Sequence, residues 1–150
     1  MKQTLCAMLA LVILLSLPGC TPTSYADTNG EEDFSLQTLT ERDLIQGTNT
    51  SKMMSSTVTM GDKTTCKAQT LSGVEVLYEK RLKGETLDLV VSCQITKGNA
   101  RLVLVLDDEI IHDFTLNKDS QHFTMENVTG KVYLKLAGES AGYTVSFVLQ

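Results

Sequence analysis

The chain has 150 residues, a net charge of −5, no Trp and 5% aromatic residues. That length suits one domain with a real core. The acidic balance argues against nucleic acid, whose binding needs a basic footprint. The scarcity of flat rings argues against surfaces that stack sugars or bases.

The first element is a leader. Lys2 gives a basic start, Leu5 to Leu17 is apolar almost throughout, and Pro18-Gly19 breaks any helix just before Cys20. A basic start, a short apolar stretch and a small residue at the cut describe a secretory signal peptide over residues 1–19. The stretch falls short of the roughly 20 apolar residues that a transmembrane helix needs. A membrane anchor of that kind would also lack the basic cluster expected on the cytoplasmic side.

Leu17-Pro18-Gly19-Cys20 resembles the lipobox of bacterial lipoprotein precursors. The resemblance implies a diacylglyceryl group on the Cys20 thiol and cleavage before it, so that Cys20 becomes the first residue. It also implies a lipid-anchored place outside the cytoplasm, on the cell membrane or the outer membrane. The alternative is an ordinary secreted protein with a chance cysteine near its cut. Each buried lipid CH₂ is worth about 0.8 kcal/mol, so two or three chains hold firmly where one does not.

Loss of Lys2 with the leader takes the net charge from −5 to −6, and residues 21–47 carry most of it. Asp27, Glu31, Glu32, Asp33, Glu41 and Asp43 stand there against Arg42 alone. We read residues 20–47 as an acidic tether, solvated and repelled by an anionic membrane surface. A short helix is possible over residues 34–46, where Phe34, Leu39 and Leu44-Ile45 recur at uneven helical spacing.

From about residue 52 the hydrophobic period becomes two. Leu87, Leu89, Val91, Cys93 and Ile95 share one strand face; Val132, Leu134 and Leu136 share another; so do Tyr143, Val145, Phe147 and Leu149. Such alternation means half-buried strands. Val74, Val76 and Tyr78 begin a further strand, and Leu102 to Leu106, apolar on both faces, is expected to be central. Gly61-Asp62, Gly84, Lys97-Gly98-Asn99, Asp107-Asp108 and Gly138 to Gly142 read as turns between strands. That spacing predicts an all-β domain over residues 48–150, a single antiparallel β-sandwich, jelly-roll-like, with about eight strands. The closing pattern, Gly130, an alternating strand, Gly142 and Tyr143-Thr144-Val145-Ser146-Phe147, is similar to the last hairpin of small extracellular sandwich modules.

Candidate chemistry is sparse. Cys66 and Cys93 remain after export, either as a disulfide or as two buried thiols. Asp107, Asp108 and Glu109 form the densest acid cluster of the β domain and are the candidate metal ligands, for Ca²⁺, although ordinary hairpin chemistry explains them as well. His112 is expected to point inward or to sit at a bulge, and His122 to point outward. With Asp113 they fall short of a converging zinc set. No Gly-x-Ser-x-Gly elbow, Cys–His pair or phosphate loop is present, so no catalytic residue is assigned and no cofactor is expected. Met53, Met54 and Met60 read as core filling first and as partner contacts second. The sequence points to a non-catalytic binding or interaction module, held at the membrane by Cys20 and contacting another envelope protein. The alternative is a ligand module for Ca²⁺, a glycan or a small molecule.

Overall fold

A computed structural model describes residues 34–150. The chain runs through one short helix and five strands: α1 (Glu41–Gln46), β1 (Thr50–Met53), β2 (Ser56–Met60), β3 (Lys63–Leu106), β4 (Glu109–Phe114) and β5 (Lys118–Leu149). All strand pairs are antiparallel, in one sheet.

β3 spans 44 residues. A straight strand of that length would reach about 145 Å at roughly 3.3 Å per residue, so the strand has to bend. The register shows how. Lys63 to Leu82 pairs with Val148 back to Gly130 of β5, and Leu89 to Leu106 pairs with Leu149 back to Val132 of the same strand. The second half of β5 therefore has β3 on both sides. Leu87 to Cys93 of β3 also pairs with Met125 back to Lys118, at the start of β5.

The count of five strands corrects the expected eight. Gly61-Asp62 and Asp107-Asp108 are true turns, closing β2 on β3 and β3 on β4. Gly84 and Gly98 are not. They lie inside β3 with φ of 81° and 70°, at register shifts in its pairing with β5. Residues that tolerate positive φ mark either a turn or a bulge, and here the ladder continues through them.

The alternating faces pack as the period requires. Leu87, Leu89, Val91 and Cys93 join Val132, Leu134, Leu136, Val145 and Phe147 in one large buried cluster. Leu102 to Leu106 is flanked by β4 and β5, with Leu102 and Leu104 in that cluster. Val103 and Val105 face the other way, into a smaller cluster with Leu44, Val74 and Ala137. Val74 and Tyr78 do not share a face. A register shift between Val76 and Tyr78 turns Tyr78 onto the large cluster, with its ring 6.0 Å from that of Phe147.

Residues 34–47, read from sequence as the far end of a tether, lie on the sheet. The helix is confined to Glu41–Gln46 because Thr40 and Asp43 form a capping box and so fix its start. Before it, residues 34–40 run as a strap. Ala100 N donates to Phe34 O at 2.9 Å. The Glu139 carboxylate accepts from the N–H groups of Gln37 (2.8 Å), Thr38 (2.6 Å) and Leu39 (2.9 Å), and from the Thr38 hydroxyl (2.7 Å). Leu44 is fully buried under α1, and buried Lys135 donates its ammonium to Ile45 O at 2.5 Å. Strap and helix thus cover one part of the outer face.

Candidate interaction edge

β1 and β2 line the outside of β3, and every residue from Thr50 to Met60 is exposed. Met53 is 63% exposed, Met54 71%, Val58 53% and Met60 77%. The methionines are surface residues, which corrects the expectation that they fill the core. From Met53 to Gly61 the chain carries no charge and no Pro. Sheet edges are ordinarily blunted by Lys, Pro or inward-pointing charges, because the free row of N–H and C=O groups templates another strand. This edge has none of those devices along β2.

The edge is firmly mounted. Lys52 of β1 reaches Glu75 Oε1 at 2.5 Å, and the other oxygen of Glu75 accepts from the Tyr143 hydroxyl at 2.5 Å. Burial, with the bond to Glu75 second, pushes the Tyr143 hydroxyl well above its ordinary pKa and keeps it a donor. Thr59 and Thr64 join hydroxyls across β2 and β3 at 3.1 Å.

Beside the edge the outer face is bare. Met60, Lys63, Val148, Val90 and His122 stand in one row across the pairings, and Val58, Thr65, Ser146 and Ser92 in the next. A depression of about 280 Å³ opens there, lined by Lys63, Val90, Ser92, Asp119, Ser146 and Val148 among others.

The other predicted site residues take structural places. Cys20 lies outside the described residues. Cys66 and Cys93 are free and buried. Both pair with Val145, from opposite sides of β5. Two strand spacings put their Cα atoms roughly 10 Å apart, beyond the about 7 Å limit of a disulfide. The structure thus holds the pair as two buried thiols rather than a bond. Burial pushes the Cys93 thiol up to about 12. Burial likewise raises Cys66, whose sulfur accepts from the Thr57 hydroxyl at 3.7 Å.

Asp107, Asp108 and Glu109 do not assemble a metal site, and no three His, Cys, Asp or Glu side chains converge among the described residues. Asp107 instead ties its turn to β5. Its φ is 51°, its N–H donates to Lys131 O at 2.8 Å, and its carboxylate accepts from Lys131 N at 2.8 Å. The carboxylate satisfies a backbone N–H of β5.

His112 sits at the bulge between Leu104 and Val105, its ring against Phe114 (4.7 Å) and Phe123 (4.8 Å). His122 is exposed and paired with Asp88. Thr124 completes a threonine–histidine–aspartate group, but its hydroxyl meets the same His122 Nε2 that Asp88 holds, at 3.3 Å. In a nucleophilic relay the acid and the nucleophile face opposite ring nitrogens. The group is arranged as a surface pair with a neighbouring hydroxyl.

A comparison with known protein families finds none that matches the chain, and none of the curated proteins matches it either.

Proposed function

We propose that this chain is a lipid-anchored, extracytoplasmic, non-catalytic interaction module of the bacterial cell envelope, binding another protein through the β1–β2 edge. The single observation that carries the reading is an uncharged strand edge with four large apolar side chains in solvent. Methionine suits such a surface, because its unbranched thioether adapts to the partner's shape. An extended segment laid along β2 pairs with its free backbone groups, and its side chains meet Val58 and Met60.

In this account Cys20 bears the lipid and residues 20–33 are the spacer. The acidic run Asp27, Glu31, Glu32 and Asp33 supports a solvated spacer. The sheet, curled so that β3 flanks β5 on both sides, is the basis on which we propose a sandwich-like, jelly-roll-like body. A second reading, a module for a glycan or other small ligand, draws on the depression beside Lys63 and Asp119.

Three variants of the full chain test the proposal in envelope membranes. A photo-cross-linking residue in place of Met60 is expected to give a discrete protein adduct, and the same residue at Glu126, away from the edge, none. Cys20→Ala is expected to release the chain from the membrane fraction. Loss of the Met60 adduct at full expression contradicts the interaction reading; retention of Cys20→Ala in membranes contradicts the anchor.

A further inference from the structure

We infer that the strand taken by β2 is β2 of a second copy of this chain, paired antiparallel about a two-fold axis at Val58. The inference rests on the interaction reading above and names its partner.

The backbone sets the geometry. Met60 and Lys63 close a two-residue turn at Gly61-Asp62, so they exchange their hydrogen bonds. Alternate residues do the same, and Val58 and Ser56 therefore bond into β3. The N–H and C=O groups of Thr57 and Thr59 point away from the sheet, and nothing among the described residues pairs there. Thr57-Val58-Thr59 reads the same in both directions. Placed on its own copy with Val58 on the axis, each Thr57 meets the other copy's Thr59 as a hydrogen-bonded pair. Both outward-facing residues of β2 are then satisfied in each copy.

The side chains fit the same axis. Ser56, Val58 and Met60 lie on one face, so the two Val58 and two Met60 side chains gather beside the bare outer face and leave water together. The charges also agree. In this register Asp62 comes alongside Met54 and Lys63 alongside Met53, so no charge faces a like charge across the join. A different protein would need its own matching strand; a second copy supplies one with the right length, polarity and neutrality. Anchoring copies on one membrane raises their mutual concentration, which a join as short as β2 needs.

Disulfide trapping tests the axis in the full, membrane-bound chain. Directly opposed residues have Cα atoms about 4.5–5.5 Å apart, within disulfide reach. Val58→Cys is therefore expected, under copper–phenanthroline oxidation, to give a reducible species of twice the chain's mass. Ser56→Cys lies four residues from its own copy, roughly 13 Å away, and is expected to give none alone but to join Met60→Cys when the two are mixed. The unsubstituted chain is the control for Cys20, Cys66 and Cys93. No doubled species from Val58→Cys overturns the proposal, and so does an equal yield from Ser56→Cys. A Met60 photo-adduct of another mass without Val58→Cys dimer overturns the second copy and keeps the interaction reading; no adduct of either kind overturns both.

Discussion

Glu139 is the residue on which the strap depends. Its carboxylate takes the N–H groups of Gln37, Thr38 and Leu39, and these donors hold its pKa down from 4.5 to about 2. A pKa lower in the folded than in the unfolded chain contributes stability at pH above about 4.5, and that stability is lost as pH falls through about 2. Protection of the amides across residues 34–47, taken relative to their intrinsic exchange rate, is expected to stay high at pH 5 and to fall towards pH 2. Glu139→Gln should exchange faster at pH 5 and show little of that acid response; an unchanged response would place the titration elsewhere. The thiols give a second test at this scale. Cys66 and Cys93 are expected to resist alkylation in the native domain and both to react after unfolding without reductant, as read by mass. A mass shift that requires reductant would restore the disulfide.

The strands were legible because their chemistry is local. The period of two placed Leu87 to Ile95, Val132 to Leu136 and Tyr143 to Phe147 on the correct faces, and the double-sided Leu102 to Leu106 indicated a strand with partners on both sides. Where strands end is not local. Gly98 looks like a turn from its neighbours and is a bulge, because the carbonyls of Ser140 and Glu139 pass beside it. A Cβ there would stand 2.6 Å from Ser140 O at a φ of +70°. Gly98→Ala is expected to destabilise the domain by about 1–3 kcal/mol in denaturant unfolding, whereas Gly84→Ala, at φ +81° with open space around it, should cost only the lesser backbone strain. Equal costs would show that close approach is not what holds Gly98. The helix expected over residues 34–46 begins later, because the capping box of Thr40 and Asp43 sets its start. The uneven apolar spacing from Phe34 onward obscured it, since those residues face the sheet as an extended strap.

In the proposed whole molecule, a lipid anchor on Cys20 and an acidic spacer carry a sheet that leaves one edge open. The edge was the least legible part. Met53, Met54 and Met60 have the composition of a core, and only the pairing of β3 with β5 decides that β1 and β2 lie outside it. The acid triplet misled in the opposite sense: Asp107 answers to the backbone of Lys131, a partner 24 residues away that no local pattern names. The most direct measurement of the central claim is residue-resolved amide exchange of Thr57, Val58 and Thr59, on the membrane-bound full chain and on dilute Cys20→Ala. The account predicts a slow Val58 amide in both, with Thr57 and Thr59 fast in the dilute protein and slowed at least tenfold on the membrane. Fast exchange at Thr57 and Thr59 in both states would contradict it, because an edge in use cannot leave those amides to water.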